Sequence, residues 1–301
     1  MSATLRATTV LPPGMHPDEW AARLELAACY RVFAMLGWTE MIYNHITLRL
    51  PASVTGEAAG SLGAPGKPAA GPPQGVAAPS GGSEPRVAGS VGAPGKQFLI
   101  NPFGLHYSEV TASNLVKINL QGEVLGGSAH RVNPAGFTVH AAIHDGLPDA
   151  HCVMHTHTTA GVAVACLRNG LQQTNFYTAQ LHGMLAYHEF EGITIHAEEA
   201  PRLLRSIGDK QAVILRNHGL LAWGTTLPQT FAILWTLQRA CEIQLATFSM
   251  GGAEAAIPVP ESIAARCTRD ALQFSPDHGA GRDVFDALVR QVNRLDSSYQ
   301  G

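Results

Sequence analysis

Two histidines stand two residues apart in Met154-His155-Thr156-His157-Thr158. In an extended strand, residues i and i+2 project from the same face, so a strand ending here presents two imidazoles side by side. A divalent metal takes imidazole nitrogens at about 2.0–2.1 Å, and same-face histidines meet that geometry without strain. A third histidine, His218 in Arg216-Asn217-His218-Gly219, follows the apolar run Val213-Ile214-Leu215. Placed where a core strand exits and next to a glycine that permits a tight turn, it can reach a neighbouring strand end. Three imidazoles leave a four-coordinate ion an open position for water or substrate. The same residues also suit a plainer reading: polar groups at a strand end, and a histidine that hydrogen-bonds its own turn.

The elements that must position these groups can be read from periodicity. Pro17 to Leu36 is predicted as a helix, with Pro17, Asp18 and Glu19 suited to its first turn and Gly37 to its stop. Trp20, Leu24, Ala27, Tyr30 and Phe33 recur at three- and four-residue steps and form its buried face. Asn133-Pro134 reads as a cap and first turn opening a helix to about Asp145. Cys152 to His157, Gln211 to Leu215 and Leu220 to Trp223 are predicted strands, and Thr158 to Leu167 a helix. Pro228 opens a long helix that Gly251-Gly252 ends, with Phe231, Leu234, Trp235, Cys241, Leu245 and Phe248 inward; Val284 to Leu295 is helical as well. Helices and strands interleave, so the fold class is α/β.

Ala52 to Gln97 differs from everything around it, being dominated by Ala, Gly, Pro and Ser. Ala59 to Lys67 recurs nearly unchanged as Ala88 to Lys96. Such a composition buries too little apolar area to offset the entropy of ordering it, and the segment reads as a flexible surface insertion. Its Gly-Ala-Pro-Gly-Lys runs lack the glycine spacing and the Ser/Thr after Lys that a phosphate loop requires. The insertion separates two strand-like pieces, Ile42 to Leu50 and Phe98 to Asn101, and so reads as an enlarged hairpin loop within one domain.

The chain has 301 residues, 46% hydrophobic and 14% charged, with a formal net charge of −3. A sizeable core is affordable to it, and no basic block of the kind that tracks a nucleic-acid backbone is present. Met1 to Pro13 does not read as a signal peptide, and the most apolar window, Leu220 to Leu237, is too interrupted to span a bilayer. Five scattered cysteines, Cys29, Cys152, Cys166, Cys241 and Cys267, suit reduced core thiols in a cytoplasmic protein.

The run Leu99-Ile100-Asn101-Pro102-Phe103-Gly104, then Tyr107 to Thr111, resembles the early glycine loop of class II aldolases and adducin head domains. Phe137 to His144, Pro148-Asp149, Val153 to His157 and Leu215 to Leu220 follow in that family's order. The resemblance covers roughly Trp20 to Gly252 apart from the insertion, and Tyr187 to Gly192 and Arg239 to Gln244 lean toward the adducin-like branch. It implies a three-layer α/β/α sandwich around a central mixed, largely antiparallel sheet. A class II aldolase/adducin-type domain would occupy 15–252, with 253–301 a C-terminal extension. It also implies a homotetramer with the metal, zinc foremost and iron or manganese as alternatives, held by His155, His157 and His218 near a subunit interface.

Departures from the sugar-phosphate aldolases bear on the substrate. Where those enzymes carry Ser-Ser-Glu with a histidine four residues beyond, this chain has Pro134-Ala135-Gly136 and His140, so Gly136 stands at the position of the acid/base carboxylate. Phe103 replaces a phosphate-binding Thr, while Asn44 still matches a phosphate-contact position and Gly104 belongs to the substrate-binding glycine loop. Losing most phosphate donors removes several charge-assisted hydrogen bonds of about 1.5–3 kcal/mol each, so an unphosphorylated oxo or hydroxycarbonyl compound is expected. Tyr177, which matches a family tyrosine reaching across the interface, is the preferred proton carrier. His140, His144 and His188 are further candidates, and Glu189 or Glu242 could replace the lost carboxylate only if the fold brings them near the metal. The expected activity is a metal-dependent lyase, aldolase-like or decarboxylating, on a small molecule. A non-catalytic adducin-head-like association module and an iron(II) oxygenase on the same fold are the alternatives.

Overall fold

A computed structural model describes residues 9–56, 96–193 and 197–301. Most of the insertion, including its repeated motif up to Gly95, and the first eight residues lie outside these ranges. The chain opens with α1 (Pro17–Leu36), β1 (His45–Arg49), the single turn α2 (Ala52–Thr55), β2 (Gln97–Ile100), β3 (Val116–Asn119) and β4 (Val124–Leu125). It continues with α3 (Pro134–Gly146), β5 (Cys152–Thr156), α4 (Thr159–Ala165), α5 (Phe176–Gln180), β6 (Leu185–His188) and α6 (Ala200–Ile207). The hairpin of β7 (Ala212–Leu215) and β8 (Gly219–Gly224) follows, then α7 (Leu227–Gly251), α8 (Glu261–Asp270) and α9 (Arg282–Leu295).

All eight strands form one sheet in the order β4-β3-β2-β1-β5-β8-β7-β6. Each adjacent pair is antiparallel except β6 with β7, which is parallel. The sheet is therefore mixed and largely antiparallel, with helices on both faces. Strand alternation assigns the side chains. Ile46, Leu48, Cys152, Met154, Leu220 and Ala222 face α1 and α7, in a core that also holds Tyr30, Phe33 and Phe231. Val153, Leu221, Trp223, Val213 and Leu215 face α3 and α6, where Val139, Ile143, Leu203 and Ile207 meet them. With both faces covered, β5, β7 and β8 are buried along their whole length, which is why they read as continuous apolar runs rather than alternating ones.

Residues flanking the insertion behave as the two arms of a hairpin, with Leu48 paired to Leu99 and Arg49 to Phe98. The insertion's edges are narrower than composition suggests. Ala52–Thr55 is a helical turn with Thr55 buried and Val54 packed on the core, and Gln97 already belongs to β2. At the other arm, the strand starts at His45 rather than Ile42, because Glu40 and Met41 take left-handed backbone angles that turn the chain first.

The C-terminal residues are built into the same core: Phe285, Val289 and Val292 of α9 and Tyr299 are buried with α1 and α7 side chains. The inward face of α7 stops earlier than its periodicity suggests. Its buried residues end at Gln244, Leu245 is 45% exposed and Phe248 only half-buried, because the last turns run past the core. All five cysteines are free, but only Cys29, Cys152 and Cys241 are core thiols. Cys166 caps the end of α4 and is exposed, and Cys267 is half-buried.

One side chain of α1 sets where β1 and β2 part. The Tyr30 hydroxyl donates to the Ile46 carbonyl at 2.6 Å and accepts from the amides of Ile46 and Asn101, each at 3.2 Å. It stands where a continued ladder would otherwise bond β1 to β2. Removing it leaves buried backbone groups without partners, each costing about 1–3 kcal/mol. Tyr30→Phe is expected to lower the unfolding free energy by about 2 kcal/mol or more in urea titrations. A loss below about 0.5 kcal/mol would show that this hydroxyl does not hold the two strands.

Candidate metal centre

Strand β5 lies between β1 and β8, and its exit carries the first two imidazoles. His155 is the last residue of β5 to face α3, its Cα partnered with His45 on one side and Leu221 on the other. Its Nδ1–H donates to the Leu220 carbonyl at 2.8 Å, which leaves Nε2 with its lone pair free. His157 lies one residue beyond the strand, and its backbone N–H donates to the Asn44 side-chain oxygen at 2.9 Å. His218 comes from the three-residue turn of the β7–β8 hairpin, in which Leu215 pairs with Gly219. Asn217, not Gly219, takes the left-handed conformation of that turn, with φ 55°. Gly219 is needed for close approach instead: a Cβ there would lie 2.3 Å from the Thr156 carbonyl oxygen and within 3.4 Å of the rings of His155 and His157.

The three rings converge. His157 Nε2 is 2.7 Å from His155 Nε2 and 3.0 Å from His218 Nε2, and one ligand atom from each residue falls within 4.8 Å of the others. Nitrogens bound to a tetrahedral ion at about 2.0–2.1 Å sit about 3.3 Å apart, so a few tenths of an ångström of ring movement would admit one. Burial, reinforced by His157 and His218, holds His155 well below the usual imidazole range. His218 is lowered to about 4 by burial and by His157, and His157 is lowered by burial. All three are neutral at physiological pH, the form a metal requires. The bond from His155 to Leu220 is the outer hydrogen bond that fixes tautomer and ring orientation in metal-binding histidines.

The cluster opens into a cavity of about 430 Å³ whose walls include Tyr43, His45, Gly136, Phe190, Ile193 and Leu215. Among the described lining residues there is no Lys, Arg, Asp or Glu. Other residues singled out in the sequence lie elsewhere. Asn44 is fully buried, its amide donating to the Trp38 carbonyl at 3.0 Å and to Glu40 at 2.5 Å while its oxygen holds His157. Buried and bonded in this way, it positions His157 and does not line the cavity. Gly104 takes φ 99° in a turn outside the cavity wall. Tyr177 packs on Phe176 and Trp235 and does not line the cavity of its own chain. Glu189 is exposed near Arg216, and Glu242 pairs with Arg239 and Gln238; neither lines the cavity. His188 is held between Ser206 and Glu199. The residue missed by sequence reasoning is His45. Its signal is the alternation His45-Ile46-Thr47-Leu48, which sets two polar side chains on one face of a buried strand.

Residues 24–245 match the class II aldolase and adducin N-terminal domain. The chain belongs to that family. A Pseudomonas aeruginosa protein bearing the name aldolase class 2 protein is 36% identical over 94% of this chain and 93% of its own length. Rat alpha-adducin is 35% identical over 91% of this chain, a stretch that makes up 33% of the adducin. Among solved structures, an aldolase II superfamily protein from Pseudomonas syringae superimposes with a TM-score of 0.78 at 32% identity, covering 96% of this chain and 98% of that one. An L-fuculose 1-phosphate aldolase from Glaciozyma antarctica shares the fold, with a TM-score of 0.70 at 24% identity over 99% of this chain and 98% of its own.

Behind the cavity wall of this family member lies a hydrogen-bonded chain of buried groups. His144 Nδ1 meets the Ala150 carbonyl at 2.6 Å, so that nitrogen carries the proton. His144 Nε2 therefore accepts from the Thr47 hydroxyl at 2.7 Å, and the Thr47 oxygen accepts from His140 Nδ1–H at 2.8 Å. His140 Nε2 is left as a bare, buried acceptor. His140 is 1% exposed and does not line the cavity, so it stands behind the site rather than facing it. Burial lowers His144 to about 3 and His45 to about 4, and it holds His140 well below the ordinary range with help from His45 and His144. These groups are neutral in the fold but titrate near 6.5 once unfolded, so the unfolded chain takes up protons first as pH falls. Their contribution is complete above pH 6.5 and is lost toward pH 4 and below, at up to about 1.4 kcal/mol per pH unit for each group. Metal-free protein should show a melting temperature that declines steadily from pH 6.5 to 4. A flat profile there would contradict buried neutral imidazoles.

Proposed function

We propose that this chain is a metal-dependent lyase of the class II aldolase type, acting on a small unphosphorylated oxo or hydroxycarbonyl compound. The ion is a single divalent metal, zinc foremost with iron or manganese as alternatives, held by His155, His157 and His218. The observation carrying this reading is the convergence of three neutral Nε2 atoms with the outer nitrogen of His155 tied to Leu220. The bound metal would supply Lewis acidity that stabilises negative charge on a substrate oxygen.

The protein's own residues account for the rest. Leu220 and Asn44 fix the positions of His155 and His157, while Asn217 and Gly219 shape the turn that delivers His218. Phe190, Ile193 and Leu215 add apolar walls beside the imidazoles. The lack of a Lys or Arg among the described lining residues supports an unphosphorylated substrate, because a phosphate remote from the metal would find no cationic side chain to pair with. Loss of CO₂ needs no base to generate an enolate, whereas aldol cleavage requires one for the hydroxyl proton. A cytoplasmic homotetramer, with Tyr177 reaching a neighbour's site, belongs to the same reading. It is supported by the large exposed apolar side chains Phe176 and Phe190 and by five free cysteines. Among the described residues no helix is long and apolar enough to cross a membrane.

The likeness to rat alpha-adducin favours a second reading, a non-catalytic association module. Elemental analysis separates the two: the lyase should hold about one zinc, manganese or iron per chain. Occupancy far below one, even after reconstitution with each metal, would leave the association module standing. Oxygen uptake with 2-oxo acids would instead mark an iron(II) oxygenase. His157→Ala should abolish metal retention while leaving the far-ultraviolet circular dichroism intact. Full occupancy in that variant would refute the ligand assignment.

A further inference from the structure

Position 136 lacks a side chain, and His45 occupies the space that one would need. A Cβ built on Gly136 would lie 2.0 Å from Cδ2 and 2.0 Å from Nε2 of the His45 ring. The ring and a side chain at 136 exclude one another: any other residue at 136 must drive the imidazole from its place. The backbone does not require glycine here, because Gly136 sits in the first turn of α3 and does not take a left-handed φ. What the glycine permits is the position of His45.

That position is a functional one. His45 is the Cα partner of His155 across the β1–β5 ladder, on the same face, and its ring lines the cavity shared with His155, His157 and His218. It is 4% exposed, yet among the described residues neither of its ring nitrogens makes a hydrogen bond. Ring nitrogens that line a cavity and have no protein partner are free to bond a ligand that enters it. His140, set edge-on to it with ring centroids 6.2 Å apart, adds a second unpartnered nitrogen to the same region. Thr47, the next residue on this face, is by contrast fully engaged by His140 and His144.

We propose that His45 is the substrate-contacting residue beside the three-histidine cluster, hydrogen-bonding an oxygen of the bound oxo or hydroxycarbonyl compound in space that Gly136 keeps clear. The inference deepens the metal-lyase reading and rests on it. It makes His45 and Gly136 a joint determinant of specificity, since a side chain at 136 and the imidazole of His45 are alternative ways to furnish one wall.

Five variants, His45→Phe, His45→Gln, His45→Ala, Gly136→Ala and the double variant His45→Ala/Gly136→Ala, test it through metal content, oxalate affinity and melting temperature. Oxalate, a planar dianion resembling the enolate of a 2-oxo acid, is titrated calorimetrically into zinc-loaded protein. His45→Phe keeps the ring's bulk without its nitrogens; it should retain one zinc per chain and bind oxalate at least tenfold more weakly. His45→Gln restores an N–H donor and should recover part of that loss. Gly136→Ala should retain zinc, lose oxalate affinity to a similar extent and melt below wild type. With His45→Ala in place, the added methyl at 136 should cause no further fall relative to His45→Ala alone. Wild-type affinity in a zinc-replete His45→Phe protein overturns the proposal and leaves the metal reading intact. Loss of zinc in both His45→Phe and His45→Gln also overturns it, because His45 would then serve the metal shell rather than the substrate. If wild-type protein holds no metal, the lyase reading falls and this proposal falls with it. The steric coupling between 45 and 136 would still be read from the melting temperatures.

Discussion

The pairing of β5 with β1 on one side and β8 on the other is the constraint on which the site depends. Because side chains alternate along each strand, register decides which groups share a face. The observed register sets His45 against His155 and brings the β7–β8 turn beside the end of β5. A slip of one residue in β1 would turn His45 and Thr47 into the α1–α7 core and send Ile46 toward the cavity. Burial on both faces makes that slip costly, so the same apolar packing that stabilises the sheet also fixes the geometry of the imidazoles.

Gly219 shows how closely that geometry is drawn. Its missing side chain lets β8 begin against the Thr156 carbonyl, and the rings of His155 and His157 close over the same point. Asn44 works from the other flank, tying the backbone of His157 to the start of β1 through an amide that also grips Trp38 and Glu40. The site thus rests on backbone placement at three strand ends. Side-chain hydrogen bonds then orient the rings, most clearly through Leu220 behind His155.

Around this frame the described cavity lining carries no Lys, Arg, Asp or Glu. Its described walls are apolar or neutral, and His45 stands where position 136 carries no side chain. Burial keeps His144 and His140 neutral, and the chain from Ala150 through His144 and Thr47 to His140 directs their lone pairs.

Periodicity and end signals were enough to locate most elements. Helix α1 runs from Pro17 to Leu36 as its proline and glycine boundaries imply, and the strand pieces on either side of the insertion do pair. The order of short motifs points to the family, because spacing within a motif is local information. The sequence also marked His155, His157 and His218 as worth bringing together, through strand alternation and the turn after a core strand. What it could not supply was anything dependent on contacts between distant segments. That Asn44 is engaged by His157, that His140 stands behind the wall, and that Leu245 and Cys166 face outward follow from how elements pack, not from their own patterns. The relation between Gly136 and His45, 91 positions apart in the numbering, is of that kind. A glycine in a helix and a histidine in a strand each look unremarkable until α3 is laid across β1. Only tertiary structure shows that one makes room for the other, because excluded volume acts between atoms that meet in space, whatever their separation along the chain.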